Sequence, residues 1–220
     1  MKEIAEKSVK DLVEQLLTRL LIENLDKIGQ NEEGQLILKN LNSAMLRMLE
    51  NCNHTYVFTV LFGLFKKYKD DPKIPKLPGL IIKCLLKLSK LMDQLIDKID
   101  MKRFFLAVHE YLIVVDHNNK NNNDELGIRI VKTLVNEIVK HLGEKVWDSY
   151  QIIEGHSTPD THIKKWIMII IKSNADQQKT SKEKDQNNKS LSGDQPQQSK
   201  MIIEFEMKKI IQDLKDPKKF

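Results

Sequence analysis

Apolar residues recur along this chain at helical spacing, most densely between Leu80 and Met92. The lysines of that stretch, Lys83, Lys87 and Lys90, follow one another at i, i+4 and i+7, so a helix places them on one face. The rest of its circumference is apolar, and such a helix must be covered by neighbours on both sides. No strand-like segment competes with this pattern. The sequence therefore predicts stacked helices, an architecture typical of scaffolds that bind other proteins.

Nine helices are predicted from the spacing of apolar residues and from capping signals. Asn53 and Asp100 are the predicted N-caps of the third and fifth helices, because their short polar side chains can accept hydrogen bonds from a first turn. Gly143 is predicted to end the sixth helix. The predicted helices are Lys2–Asp26, Glu33–Asn51, His54–Lys69, Leu80–Ile99, Met101–Val115, Glu125–Leu142, Glu144–Ile153, Thr158–Ser173 and Met201–Leu214.

Consecutive helices pair into helix–turn–helix units of about 40 residues, the period expected of HEAT-type repeats. About four such units fill a predicted domain over residues 1–173, which makes the expected fold all-α with HEAT-like helical repeats. Between residues 174 and 199 glutamine, lysine, serine, asparagine and aspartate dominate, which predicts a disordered linker. Residues 200–220 carry the last, amphipathic helix. It must dock on the main body or on a partner, because a lone helix of this length is marginal in water.

Composition supports the all-helical prediction and constrains partners weakly. The 220 residues include only 8 glycines and 6 prolines, fewer turn residues than an all-β fold needs. The formal net charge of +5 arises from 36 basic and 31 acidic residues, a mixed surface with a basic bias. Such a surface fits weak attraction to nucleic acid, anionic lipid or the acidic surface of tubulin, and selects none of them. A solvated lysine-rich surface is the commoner explanation.

Two features of the sequence predict the cellular compartment: its cysteines and the length of its apolar runs. Cys52 and Cys84 fall inside predicted helices among apolar neighbours, so we expect buried, reduced thiols and a reducing compartment. The charged N-terminus has no signal-peptide core, and no run of 18 apolar residues occurs. These features predict a cytosolic protein with no membrane span.

Signatures of catalysis are missing from the sequence. It contains no phosphate-binding loop, dinucleotide fingerprint, nucleophile elbow or zinc pattern. His156 and His162 lack cysteine or carboxylate companions at ligand spacing. Cys84 and His109 could in principle pair as nucleophile and base, but a thiol flanked by leucines in a helix is desolvated and inert. We therefore predict a non-enzymatic protein with no catalytic residue, cofactor or metal.

Several short motifs between Asp11 and Trp147 follow one another in a defined order. They are Gln15-Leu-Leu-Thr-Arg-Leu-Leu21, Ile82-Lys-Cys-Leu85, Ile99-Asp100 with Arg103, His109 and Tyr111-Leu112, and Ile128-Arg-Ile-Val-Lys-Thr-Leu134 with Glu137-Ile-Val-Lys140 and Gly143. Together they resemble the C-terminal helical domain of the ch-TOG/Minispindles family of microtubule polymerases. The resemblance implies a TOG-like α-solenoid paddle of HEAT repeats.

The same resemblance implies a function. Members of that family carry arrays of TOG domains that bind tubulin and promote plus-end growth. Their last domain helps to localise the polymerase at centrosomes and spindle poles through partners such as TACC coiled-coil proteins. The predicted helix Met201–Leu214 resembles the helix that follows this domain, where partner binding is concentrated. Tubulin-binding TOG domains place a tryptophan in the first turn within a repeat. The corresponding turn here, Ile28–Glu33, contains no tryptophan.

Two interaction modes remain open from the sequence. The first is binding of a TACC-like coiled coil or a tubulin-related partner, which would localise the chain to the microtubule cytoskeleton. The second is direct tubulin or microtubule-lattice binding through basic inter-helix loops, since lysines cluster between residues 66 and 76. Nucleic-acid binding is disfavoured because aromatic and basic residues do not interleave, and no membrane partner is expected. The expected partner-binding residues are surface-exposed Lys67, Lys69, Lys76 and Lys87, with Ile202, Phe205 and Ile210 in the tail helix.

Overall fold

A computed structural model of the 220-residue chain describes residues 2–21, 32–117, 125–154 and 161–174. The predicted tail helix and nearly all of the predicted linker lie outside these ranges, so both stay predictions. Thr158, the predicted start of the eighth helix, also lies outside them. Every regular element in the described ranges is a helix.

The described residues form nine α-helices and two single 3₁₀ turns. The α-helices are α1 Lys2–Leu20, α2 Glu32–Asn51, α3 His54–Tyr68, α4 Leu77–Lys90, α5 Met92–Leu95, α6 Met101–His117, α7 Glu125–Leu142, α8 Val146–Glu154 and α9 over residues 163–174. The 3₁₀ turns are Ile96–Lys98, after α5, and Gly143–Lys145, after α7.

The helices form two layers. In the first layer α1 packs on α3, α3 on α6, and α6 on α8. In the second layer α4 packs on α7, and α2 packs against both α1 and α3. α1 and α3 are each followed along the chain by a helix that packs against them, α2 and α4 respectively, as in stacked helical hairpins. The all-α helical-repeat prediction is confirmed.

The last helix is held to this stack by a buried polar contact and by apolar packing. His109 Nδ1 of α6 lies 3.1 Å from the Thr161 hydroxyl, just before α9, and both side chains are buried. Ile163 and Ile167 are fully buried in the common core. α9 therefore belongs to the same packed body as α6.

Local capping follows the sequence prediction. The Asn53 side-chain oxygen accepts a hydrogen bond from the Tyr56 backbone N–H at 3.2 Å. Asp100 accepts from the backbone N–H of Arg103, also at 3.2 Å, in the first turn of α6. Gly143 adopts a φ of 55° immediately after α7, a left-handed conformation that glycine reaches without a Cβ clash.

The predicted boundaries of the first and fourth helices are wrong. α1 ends at Leu20 and not at Asp26. The predicted helix Leu80–Ile99 begins three residues earlier, because Pro78 occupies the first turn, where a missing N–H costs little. It also ends at Lys90, and Leu91 separates it from the short α5. No proline or glycine marks this break in the sequence.

An aromatic cluster occupies the centre of the stack, where α3 crosses α6. Phe104 is fully buried and meets Phe58, Phe105 and Phe62 edge to face, with ring centroids 5.1, 5.6 and 6.1 Å away. Most of the buried core is Leu, Ile, Val and Met, and aromatics are only 6% of the chain. The few aromatics are concentrated on the central helix pair, where large side chains bury the most surface.

His54, the first residue of α3, should make stability depend on pH. Its side chain is 7% exposed and its Nε2 finds no hydrogen-bond partner among the described residues. Burial lowers the pKa of His54, and nearby Lys98 lowers it further. The folded state therefore favours the neutral ring. Its contribution is complete above the unfolded pKa of about 6.5 and is lost as the pH falls below that value.

Denaturant unfolding at about pH 7.5 and about pH 5.5 measures this effect on either side of the unfolded histidine pKa. The free energy of unfolding should be lower at the acidic pH, and His54→Gln should reduce the difference because glutamine does not titrate. Equal differences for the two proteins would contradict a titrating role for His54.

Candidate protein-interaction surface

Residues 66–76, here called the basic turn, comprise the last residues of α3 and the loop between α3 and α4. Tight turns follow one another: the N–H of Asp71 donates to the Tyr68 carbonyl and the N–H of Ile74 donates to the Asp71 carbonyl, each at 3.2 Å. Pro72 and Pro75 restrict the backbone further. A loop is confirmed over residues 69–76, whereas residues 66–68 are the last of α3. The hydrogen bonds of the loop hold it in a defined conformation.

Lys67 is exposed, but it is used to join α3 to α1. Its ammonium lies 3.1 Å from the Glu14 carboxylate and also donates to the Tyr68 hydroxyl. The Tyr68 hydroxyl in turn donates to Glu14. The hydrogen bond from Tyr68, followed by the contacts with Lys67, lowers the pKa of Glu14. The same two partners raise the pKa of Lys67.

Two further lysines also pair between helices. The Lys66 ammonium lies 3.0 Å from Glu110 of α6, and the Lys87 ammonium lies 3.3 Å from Glu50 of α2. Exposed pairs of this kind contribute about 0–1 kcal/mol each. Part of the lysine-rich edge therefore connects neighbouring helices of the fold.

The expectation that Lys69 is surface-exposed is wrong. Its side chain is only 5% exposed, and its ammonium lies 3.3 Å from the Asp70 carboxylate. The aliphatic stem of a lysine can cover apolar surface while the charged end stays paired. Lys69 is therefore poorly placed to contact a partner.

Four other lysines on the basic turn and on α4 remain available to contact a partner. Lys73 and Lys76 are exposed on the basic turn, and Lys83 and Lys90 are exposed on α4. None of them forms an ion pair with another residue in the described part of the chain. Lys76 keeps its predicted exposure, whereas the other three were not among the expected partner-binding residues. The i, i+4, i+7 spacing on α4 is the sequence signal that could have identified Lys83 and Lys90.

The tail residues expected to bind a partner, Ile202, Phe205 and Ile210, lie outside the described residues. The structure instead shows an exposed apolar surface on α9 that sequence reasoning missed. Met168 is 45% exposed and Ile169 is 52% exposed. We call this surface, with its flanking lysines, the α9 patch; it comprises Lys164, Lys165, Met168, Ile169 and Lys172.

The other side of α9 packs inward. Trp166 is partly buried against the core, stacks on His162 with ring centroids 6.1 Å apart, and lies 5.3 Å from the Lys132 ammonium. The tryptophan thus contributes to the attachment of α9 to α7. The two opposite surfaces give α9 one face toward the stack and one apolar face toward solvent.

The described residues do not assemble a reactive thiol or an evident catalytic centre. Burial raises the pKa of Cys84 to about 12, so the thiol is protonated and unreactive. Both cysteines are free, as predicted. A shallow groove between α3 and α6, lined by Phe62, Gly63 and Leu106, is crossed by the Lys66–Glu110 ion pair.

Three possible metal donors, Asp93, Glu137 and His141, lie within 4.8 Å of one another on the surface. Neighbouring groups already account for their positions. His141 Nε2 lies 2.6 Å from Asp93, and the Lys140 ammonium lies 2.9 Å from Glu137. This arrangement is a small surface network of one hydrogen bond, between His141 and Asp93, and one ion pair, between Lys140 and Glu137. No described helix is long and apolar enough to span a membrane.

Comparison with known proteins identifies relatives that match most of this chain. It is 28% identical over 189 residues to Protein MOR1 of Arabidopsis thaliana, covering 78% of this chain and 10% of that protein. It is 22% identical over 156 residues to Protein mini spindles of Drosophila melanogaster, covering 70% and 7%. It is 24% identical over 128 residues to Centrosomal protein 224 of Dictyostelium discoideum, covering 56% and 6%.

The matched region is thus a tenth or less of the length of these relatives. No family model matches the chain. No solved structure matches it either.

Proposed function

Because the chain is related to the ch-TOG/Minispindles family of microtubule polymerases, we propose that it is a non-enzymatic interaction module of the microtubule cytoskeleton. It binds a coiled-coil or tubulin-related protein and is localised with it to microtubules and to spindle poles or centrosomes. The observation that carries the proposal is the two-layer helical stack with exposed lysines along one edge, in a chain with these relatives.

The architecture suits this role for a physical reason. Stacked helical hairpins bury one continuous core and leave long edges and faces that do not rearrange on binding. We propose that the hairpins α1–α2, α3–α4, α6–α7 and α8–α9 are four HEAT-like repeats of a TOG-like paddle. The basic turn then lies in the loop within the second repeat, an edge that such paddles use for protein contacts.

Affinity capture from cell extract tests the proposed function. The whole chain should recover coiled-coil centrosomal or ciliary proteins, or tubulin. A chain lacking residues 200–220 should recover less of a coiled-coil partner, because the tail helix is expected to carry part of that contact. Recovery of neither class by the whole chain would contradict the proposal.

A second candidate function is direct binding to tubulin or the microtubule lattice. Lys73 and Lys76 support it, since they are exposed and form no ion pair with another described residue. The microtubule surface is acidic, and attraction to it is screened by salt. Replacing both lysines by alanine should weaken co-sedimentation with microtubules by about 0.5–2 kcal/mol, or roughly two- to thirtyfold in affinity, as expected for two exposed ion pairs.

A matched control removes the same charge elsewhere. Lys67→Ala with Lys87→Ala deletes two lysines that already pair with Glu14 and Glu50. This variant should lose a little stability and keep most of its binding. If the chain does not pellet at either low or moderate salt, or if the control pair weakens binding as much as the Lys73 and Lys76 pair, direct binding through the basic turn is ruled out.

A further inference from the structure

The α9 patch lies on the last helix of the stack that the structure describes. Terminal helices of repeat proteins normally turn a polar face to solvent, because no further repeat covers them. Here Met168 and Ile169 project from that face with 45% and 52% of their surface exposed. Another segment that covers these side chains would remove this apolar surface from water.

The sequence after α9 contains a segment with a matching face. In a helix over residues 201–214, one apolar stripe runs at i, i+4, i+7, i+8 and i+11. Glu206 and Asp213 border this stripe on one side, Glu204 and Lys208 border it on the other, and Lys209 falls on the opposite face. The stripe is Ile203, Met207, Ile210, Ile211 and Leu214.

The charges of the two faces are complementary. Lys165 and Lys172 are exposed beside Met168 and Ile169, so the α9 patch is apolar and basic. The tail stripe is apolar and carries two acidic residues, Glu206 and Asp213, along one border. Opposite charges at the margins of an apolar contact favour one partner and one register over others.

The segment that connects α9 to the tail stripe is long enough to bring the stripe back to the α9 patch. Residues 175–200 separate α9 from the tail stripe, and a flexible chain of that length spans about 25–30 Å on average. The α9 helix is about 18 Å long at 1.5 Å per residue. Covalent attachment also gives the tail an effective concentration on the order of millimolar, so a weak contact suffices.

We propose that residues 201–214 form a helix that docks across the α9 patch of the same chain. Its apolar stripe covers Met168 and Ile169, and Glu206 and Asp213 lie toward Lys165 and Lys172. In this arrangement Ile202 and Phe205 point away from α9, on the face left open to a partner, whereas Ile210, which the sequence analysis expected to bind a partner, faces α9. The docking does not depend on the proposed microtubule role, which is read out by separate capture and pelleting assays.

Amide hydrogen exchange on the whole chain tests the docking. The 201–214 segment should exchange about tenfold more slowly in the chain than in a free peptide of the same sequence. Met168→Asp with Ile169→Asp should remove that protection. The matched control is Leu36→Asp with Ile37→Asp, an equally exposed apolar pair on α2, which should leave it unchanged.

The result that overturns the proposal is a tail that exchanges at the free-peptide rate in the unaltered chain. Protection that grows with protein concentration would also overturn it, because the occupant of the patch would then be a second copy. A charge swap tests the register. Lys165→Glu with Lys172→Glu should reduce protection, and adding Glu206→Lys with Asp213→Lys should restore it. A further loss in the combined variant would overturn the proposed pairing.

Discussion

Replacing Phe104 by alanine should lower the free energy of unfolding by about 3–5 kcal/mol, the usual cost of removing a buried phenylalanine ring. Phe104 is fully buried; its ring meets Phe58 and Phe62 across the contact between α3 and α6, and Phe105 on α6 itself. These two helices join the two ends of the stack, so a cavity between them weakens the contact on which the other helices depend. Since domains of this size are stable by about 5–15 kcal/mol, this loss is a large fraction of the total stability.

Denaturant unfolding followed by circular dichroism measures this loss. Leu36→Ala is a suitable control, because Leu36 is 58% exposed and should change stability by less than about 0.5 kcal/mol. Similar stabilities for the Phe104 and Leu36 variants would show that the α3–α6 contact is not the centre of the fold.

Gly127→Ala should destabilise the protein by about 1–3 kcal/mol, the typical cost of overpacking, although alanine is the better helix former. Gly127 lies in the first turn of α7. A Cβ built there would lie 1.9 Å from the Tyr111 hydroxyl oxygen and 3.0 Å from Phe65 Cζ. Tyr111 and Phe65 are buried and stacked on each other with centroids 4.8 Å apart, so neither ring has room to retreat.

Gly63→Ala is the matched comparison, because a Cβ at that helical position meets no atom within 4 Å. It should stabilise the protein by about 0.5–1 kcal/mol, since glycine loses more backbone entropy in a helix than alanine does. The two substitutions should therefore change the midpoint of unfolding in opposite directions. A Gly127→Ala variant as stable as Gly63→Ala would contradict the close approach of Tyr111 to α7.

Helix boundaries that are marked by nearby residues could be predicted from the sequence, and boundaries set by packing between helices could not. α7 begins at Glu125 and ends at Leu142 as predicted. Its apolar spacing lies within the helix, and Gly143, which ends it, follows directly. The end of α4 could not be predicted, since the apolar pattern continues past Leu91 without a breaker. Packing of α5 against α7 accompanies that break, and such a contact is not visible in local sequence.

The candidate surface was harder to predict than the fold. Charge clustering identified the basic turn, but the pairing of its lysines depends on residues far away in sequence. Lys67 pairs with Glu14 and Lys66 with Glu110, at separations of 53 and 44 residues. Composition cannot distinguish such a paired lysine from a free one. Only the three-dimensional arrangement shows that Lys73 and Lys76 are exposed on this edge without an ion pair to another described residue.

This distinction affects how variants of the chain are interpreted. A charge reversal at Lys67 or Lys87 would disturb contacts between helices, so lost binding could reflect a weakened fold. A change at Lys73 or Lys76 removes charge with little expected effect on stability. Binding experiments on this chain should therefore compare the two pairs before assigning a contact.

The proposed function is tested most directly by affinity capture from cell extract, with the intact chain and with the Phe104→Ala variant. The captured proteins are analysed by quantitative mass spectrometry. The folded stack is proposed to be the scaffold for a coiled-coil or tubulin-related partner. Such proteins should be enriched with the intact chain and depleted with the Phe104→Ala variant, under conditions in which circular dichroism shows that the variant is unfolded. Recovery of neither class by the intact chain, or equal recovery by the unfolded variant, would contradict the proposed role of the folded stack.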